Sequence, residues 1–240
     1  MRVAVVIQAR LDSKRLPKKI LEEVDGAPML AQLHKRMKAS KRATSVIVAC
    51  PVKDQAEIEK ATGLHCYGGP EEDLVSRLLG AAQMVEADMM VRITGDCALA
   101  DPGMIDLGVG ELYKAKNKGW AQNWNPRTYP DGLDYDIWRV DYLKYLDKKL
   151  TGKDREYFAS WCAENKEDNV GVINGQDLSR MLRLTVDYPE DLELIRNIYT
   201  QMDGAIWNAN DIIQYVMANP EVKAINAVHI GANNFGARPE

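Results

Sequence analysis

Val3 to Ile7 is an uninterrupted apolar run, the pattern of a strand buried on both faces of a parallel sheet. Val46 to Ala49 repeats it, Met89 to Ile93 reads as another strand interrupted only by Arg92, and Leu64 to Tyr67 reads as a shorter third strand. Between these runs the period becomes helical. Met29, Leu33 and Met37 share one face of a helix whose first turn takes in Pro28, a position that tolerates proline. Asp54 is placed to cap a short helix that carries Ile58 and Ala61 and stops at Gly63. The Gly68-Gly69-Pro70 break precedes a clearer helix, lined on one side by Leu74, Val75, Leu78, Leu79 and Ala82. Pro102 opens another that runs to about Asn117.

Strands alternating with helices in this way predict an α/β fold. The expected architecture is a three-layer, mostly parallel twisted sheet with right-handed connections and helices on both faces. The pattern then loosens. Asn123 to Gly132 is polar, aromatic and turn-rich, as substrate-facing loops are. Leu133 to Trp138 alternates apolar and acidic residues like a half-exposed strand, with Asp134 and Asp136 on one side. Helices are predicted at Val140–Lys149 and Asp154–Glu164, and Val170 to Ile173 and Met181 to Leu184 read as strands able to pair. Pro189 opens a helix with Leu192, Ile195, Ile198 and Tyr199, Asn208–Met217 forms the last one, and the tail from Asn219 reads as loosely ordered. Nothing repeats and no linker divides the chain, so residues 1–240 are expected to form one domain.

Composition narrows the function classes. With 46% hydrophobic and 28% charged residues the chain is ordinary globular material. A net charge of −4 argues against a nucleic-acid-binding surface, and no apolar run approaches the ~20 residues of a membrane span. Four cysteines without a CxxC spacing and no export signal suit reduced thiols in a cytoplasmic protein. Three scattered histidines do not suggest a zinc site.

Against that acidic background one stretch is strongly basic. Arg10, Lys14, Arg15, Lys18 and Lys19 fall within ten residues directly after the first strand, with Ser13 among them and Pro17 opposing a helix. A buried strand that empties at its carboxyl end into a cationic, hydroxyl-bearing loop is where an open α/β sheet places an anionic ligand. A solvated basic loop is the alternative. Asp96 and Asp187 each follow a predicted strand end, in Thr-Gly-Asp and Thr-Val-Asp-Tyr-Pro. Carboxylates meeting at adjacent strand ends suit Mg²⁺, although aspartate is also a common turn former. Asp134-Tyr135-Asp136 matches a short D-x-D metal pattern. Asp73 and Arg77 are spaced as a helical ion pair, in which the carboxylate would orient the arginine towards a ligand. Cys97 has no nearby histidine to activate it and reads as a packing residue.

Several motifs occur together in order: Ile-Gln-Ala-Arg, Ser-Lys-Arg-Leu-Pro and Lys within 7–19, Glu-Glu-Asp-Leu-Val-Ser-Arg at 71–77, and Arg-Ile-Thr-Gly-Asp-Cys at 92–97. Pro-Arg-Thr-Tyr-Pro-Asp-Gly-Leu-Asp at 126–134 and Leu-Thr-Val-Asp-Tyr-Pro-Glu-Asp-Leu at 184–192 continue the series. Through most of its length the sequence resembles the cytidylyltransferase superfamily that makes CMP-activated acidic sugars, and within it the branch named for the spore coat polysaccharide protein SpsF.

That resemblance implies a glycosyltransferase-A-like nucleotidyltransferase fold, CTP as donor, Mg²⁺ as cofactor, and a small acidic sugar, phosphate or phosphonate as acceptor. Sugar-activating members of that superfamily are commonly homodimers, while the oligomeric state of this chain stays open. Carried over by position, Arg10, Ser13, Arg15 and Lys19 would hold the triphosphate, and Ala9 and Ala49 would offer backbone groups to the nucleotide. Arg77 would lie beside it, and Asp96 and Asp187 would hold Mg²⁺. Arg15, Lys19 and Asp96 would carry the catalysis. Asn123, Trp124, Arg127, Tyr129 and Asp131 would line the acceptor site if the loops fold over it. This chain has Asp12 and Lys18 where the family carries small residues, Cys50 and Ala98 in place of its Thr and Pro, and Tyr157 in place of a histidine. A metal-dependent glycosyltransferase, its metal at Asp134 and Asp136, is the alternative activity. A nucleotide- or sugar-binding regulator is the non-enzymatic one.

Overall fold

The computed structural model describes residues 1–167, 169–173, 176–202 and 206–232. Its centre is β1 (Val3–Gln8), buried along almost its whole length. Val3, Val5 and Ile7 point into one hydrophobic core and Ala4 and Val6 into the other, the alternation a pleated strand imposes. A short hairpin follows, β2 (Glu23–Val24) and β3 (Ala27–Pro28). Asp25 and Gly26 make its turn, both at positive φ, 50° and 73°. Pro28 is paired in that hairpin with Glu23 and sits just before α1 (Met29–Met37), outside its first turn. Then come β4 (Ser45–Pro51), α2 (Val52–Thr62), β5 (Cys66–Gly69), α3 (Leu74–Met84) and β6 (Met89–Thr94). The chain continues through α4 (Pro102–Lys114), β7 (Trp120–Gln122), β8 (Asp136–Arg139), α5 (Val140–Lys149), α6 (Phe158–Glu164) and β9 (Asn169–Gly171). It closes with α7 (Pro189–Gln201), α8 (Ala209–Ala218) and α9 (Pro220–Ala224).

The seven-stranded sheet runs β5-β4-β1-β6-β8-β7-β9. The first four strands are parallel, β8 is antiparallel to both neighbours, and β9 runs parallel to β7. Helices α1, α4, α7 and α8 cover one face, and α3, α5 and α6 the other. This is the expected three-layer α/β architecture. Among the described residues no helix is long and apolar enough to cross a membrane.

Several local expectations change. The glycine pair at 68–69 lies inside β5 and ends it, because the strand sits two residues later than the expected 64–67, matching Val48 with Cys66 and Pro51 with Gly69. Residues 133–138 are not half-exposed. Only 136–139 is strand, and it lies between β6 and β7 with every residue from 133 to 138 buried. Asp154–Glu164 is a 3-10 turn at Gly152–Arg155 followed by the shorter α6. Residues 170–173 and 181–184 do not pair with each other. Residues 169–171 join β7, while Arg183 makes an isolated parallel bridge to Asp131. Beyond Asn219 the chain is helical at α9 and turns again at Ala227–His229, so the described part of the tail is ordered. Residues 233–240 lie outside the described residues.

Candidate functional site

Strand order reverses at β1: β4 follows it on one side and β6, later in the chain, on the other. Ligands of open α/β sheets bind outside the carboxyl ends at such a point. The basic loop leaves Gln8 there, and Thr94-Gly95-Asp96 leaves β6 beside it, with Gly95 N–H donating to the Gln8 carbonyl at 2.8 Å. A cleft of about 710 Å³ opens over these two strand ends.

Asp96 and Asp187 meet on its floor. Lys19 Nζ lies 3.0 Å from Asp96 Oδ2 and 2.9 Å from Asp187 Oδ1, so the two oxygens are no farther apart than those contacts together allow. Its third donor goes to the Val186 carbonyl at 2.7 Å. Burial pushes the Lys19 ammonium down, but the two carboxylates outweigh it and hold its pKa above the usual lysine value. Lys19, expected among the phosphate cations, thus stands between the acids. Arg15 joins them, 3.0 Å from Asp187 Oδ1. Burial raises the Asp187 carboxyl, but Lys19 and Arg15 overcome this and hold it at about 2. Asp187 does not end a sheet strand. It is brought to Asp96 by an extended segment whose Val186 N–H donates to the Asp96 carbonyl at 3.1 Å.

Arg183 ties this floor to the neighbouring wall. Its buried guanidinium donates to Asp187 Oδ2 at 2.9 Å, Asp131 Oδ2 at 3.0 Å and Asp191 Oδ1 at 3.0 Å. Asp191 also accepts the backbone N–H groups of Asp187 and Tyr188, at 2.9 and 3.1 Å. Gly132 lets the two segments touch. Its φ is 104°, and a Cβ there would lie 2.2 Å from the Leu184 carbonyl carbon. Asp131 and Asp134 both line the cleft and both contact Arg127, at 3.5 and 2.9 Å. Burial pushes both carboxyls up against the pull of Arg127. The pair therefore keeps a proton where an ordinary aspartate has lost one.

The basic loop is braced from α2. Asp54 does not cap that helix, which starts at Val52. It lies within the first turn, buried, and its Oδ2 accepts the Leu11 N–H at 3.0 Å. Lys18 has φ 55°, a conformation that glycine favours, and pairs with Glu57 at 2.5 Å, outside the cleft. Asp12 is not a lone negative charge beside the cations, since Lys53 bridges it to Glu71 at 2.6 Å on each side. Arg10, Ser13 and Lys14 line the cleft, and among the described residues neither the Arg10 nor the Lys14 side chain has an ion pair or hydrogen bond.

Other expected site residues serve the scaffold. Ala9 N–H donates to the Ala49 carbonyl at 3.0 Å, so that donor and that acceptor are used within the fold, and β4 reaches the cleft at Pro51. Arg77 lines the cleft, but its Nη1 is spent on the carbonyls of Pro70 and Glu71, at 2.6 and 3.0 Å. Asp73 does not orient it; that carboxylate caps α3 through the Ser76 N–H and pairs with Arg155 at 2.8 Å. Asn123 clips its loop to 133–135, donating to the Leu133 carbonyl and accepting from Tyr135 N–H, both at 2.8 Å. Arg127, Tyr129 and Trp124 are likewise absent from the described lining; Trp124 is buried in one core and Tyr129 packs on the other. Of the expected acceptor residues only Asp131 faces the cleft. Asp136 does not line it either: Arg92 grips its carboxylate through Nε at 3.0 Å to both oxygens and through Nη2, and Trp138 Nε1 donates to it. Burial raises the Cys97 thiol well above its usual range, in keeping with a packing role.

Arg183, Asp191 and Asp54 were not read as site residues. Asp191 and Asp54 carry a local signal, each an acid in the first turn of a helix, while Arg183 carries none. Among the described residues no three His, Cys, Asp or Glu side chains are grouped to hold a metal by themselves. The two carboxylates around Lys19 do fit Mg²⁺, which typically takes one or two protein carboxylates and completes its shell with phosphate oxygens and water.

The geometry has close counterparts. A family model described as Cytidylyltransferase matches residues 4–212. A protein of uncharacterised function from Methanocaldococcus jannaschii is 30% identical over 235 residues, 95% of each chain. A 3-deoxy-manno-octulosonate cytidylyltransferase from Chloroherpeton thalassium is 33% identical over 111 residues, 45% of each chain. The solved structure of a cytidylyltransferase from Leptospira borgpetersenii superposes with a TM-score of 0.85 at 31% identity, covering 93% of this chain and 97% of that one. A CTP complex of CMP:2-keto-3-deoxy-manno-octonic acid synthetase shares the fold, with a TM-score of 0.67 at 18% identity over 84% of this chain and 99% of that one.

Proposed function

Since the chain belongs to the cytidylyltransferase family and is a nucleotidyltransferase, we propose that it transfers CMP from CTP to a small acceptor and releases pyrophosphate, and that it belongs with the SpsF-type branch. The reading rests on one observation above all: Asp96 and Asp187 converge on a single ammonium beside a loop whose Arg10 and Lys14 side chains have no ion pair or hydrogen bond among the described residues. Arg10, Lys14, Arg15 and Lys19, the cleft-lining cations of the loop, bind the triphosphate, with Ser13 beside them. Lys19, which contacts both acids, and Arg15, which contacts Asp187, both line the cleft and follow the charge as it moves onto the leaving pyrophosphate. Asp96 and Asp187 would hold Mg²⁺, which supplies charge neutralisation along the phosphates when bound.

In the transfer, an acceptor oxygen forms a bond to the α-phosphorus while the bond from that phosphorus to the bridging oxygen breaks. Pyrophosphate carries off the electron pair. The names of the relatives favour a sugar acid as acceptor; a phosphate or phosphonate would offer the same kind of oxygen. Asp131, with Ser160 and Thr185 nearby on the lining, is the acceptor contact that remains from the sequence. The glycosyltransferase alternative loses its support, because Asp134 and Asp136 are each held by an arginine. The test is pyrophosphate release with each nucleoside triphosphate, Mg²⁺ and a panel of sugar acids, sugar phosphates and phosphonates. Turnover with CTP alone is expected; equal turnover with UTP would sink the reading.

A further inference from the structure

Arg15 does not lie loose in the cleft. Its Cζ is 5.0 Å from the centroid of the Tyr188 ring, and its Nη2 reaches Asp187, the residue before that tyrosine. The Tyr188 ring in turn carries the His229 imidazole, stacked at 3.9 Å with 4° between the planes. His229 Nε2 lies 3.1 Å from Glu190 Oε2, which fixes the imidazole against the start of α7. The turn bearing His229 is anchored too. Asn226, itself buried, donates through Nδ2 to the Arg183 carbonyl at 3.0 Å and to Asp191 Oδ1 at 2.8 Å, and its own carbonyl accepts the His229 N–H at 3.0 Å.

We infer that Tyr188 and His229 are positioning residues for Arg15, so that the turn at 227–229 forms part of the triphosphate site. An arginine on an irregular loop has many rotamers, and fixing it costs entropy each time a ligand arrives. An aromatic face held in place by a second ring removes much of that freedom beforehand, through cation–π and planar stacking contact. The imidazole stacks on the tyrosine, and Arg15 shares the ring with the buried Arg183 guanidinium, whose Cζ lies 5.8 Å from the centroid. Asp187 then fixes the direction in which the guanidinium points. Preorganisation of this kind raises affinity without adding a contact to the ligand. The inference rests on CTP being the substrate proposed above.

The test uses His229→Ala, Tyr188→Leu and Tyr188→Phe in the full chain. Calorimetric titration with CTP and Mg²⁺ should show affinity falling roughly three- to fivefold in the first two, the size of an exposed cation–π contact. Tyr188→Phe keeps the ring and should bind like the parent. In an Arg15→Ala background, His229→Ala should cost nothing further, because what it positions is gone. Losses that simply add would overturn the inference, and so would unchanged affinity in both His229→Ala and Tyr188→Leu. Amide hydrogen exchange over residues 13–19 supplies a readout without nucleotide: it should quicken in those two variants and stay as in the parent for Tyr188→Phe. If the parent does not bind CTP, the proposed function fails, and exchange alone then decides the positioning role, unchanged rates counting against it.

Discussion

The Leu11 backbone N–H donates to the Asp54 carboxylate at 3.0 Å, across 43 residues and under cover from solvent. That bond fixes the start of the basic loop to the first turn of α2. Replacing Asp54 with alanine leaves a buried N–H without its acceptor, which costs about 1–3 kcal/mol. Urea unfolding of Asp54→Ala should show a loss of that size, and CTP affinity should fall with it as the loop loosens. Parent-like stability would mean that the loop is held from elsewhere.

Lys19 stands where a cation belongs, between two carboxylates. Without it the acids repel and one is driven to take up a proton. Lys19→Met should therefore unfold at a lower temperature than the parent in metal-free buffer. Added Mg²⁺ should raise that temperature more for the variant than for the parent. Equal Mg²⁺ responses would argue that the two acids do not share an ion. Asp96→Asn and Asp187→Asn should each abolish turnover, and because each leaves Lys19 less well compensated, neither should gain stability.

The pH dependence of Asp187 has a definite sign. Its folded pKa, about 2, lies below the ordinary aspartate value, so its ionisation stabilises the fold above the unfolded pKa near ~4, and that contribution disappears as pH falls through about 2. The stability gap between parent and Asp187→Asn should be constant above about pH 5 and should close between pH 4 and 2. Denaturant midpoints at half-unit pH steps would measure it. A gap that persists at pH 2 would assign the parent's advantage to packing.

Arg92 and Asp136 form a buried pair with 9% and 1% of their side chains exposed. Removing the arginine strands the carboxylate, and breaking such pairs costs about 3–5 kcal/mol. Arg92→Met should lose stability on that scale and should respond to Mg²⁺ in melting as the parent does. A metal response enlarged by this substitution would revive a metal site at Asp136.

Much of this was legible along the chain because apolar runs and helical periods report burial directly. Val3 to Ile7 is such a run and Met89 to Ile93 is one broken only by Arg92, and the loops that leave them build the floor of the cleft. Asp134 and Asp136 misled for a physical reason: alternating acids look solvent-facing until their guanidinium partners are known. Arg92 lies 44 residues from Asp136 and Arg127 precedes Asp134 in a loop with no periodicity. Arg183 was invisible in the same way, because its worth depends on Asp131, 52 residues earlier. The use of the Ala49 carbonyl by the Ala9 N–H depends on strand register, which no local pattern announces.

Gly132 has a mechanical consequence. With no side chain, it lets the Asp131 loop lie directly on the 184–185 backbone, where the Leu184 N–H donates to the Asp131 carbonyl at 2.6 Å. Arg183 rivets the same two segments through their side chains. A molecule pulling on Asp131 therefore drags Asp187 along with it, and the wall and the floor of the cleft travel as a single plate.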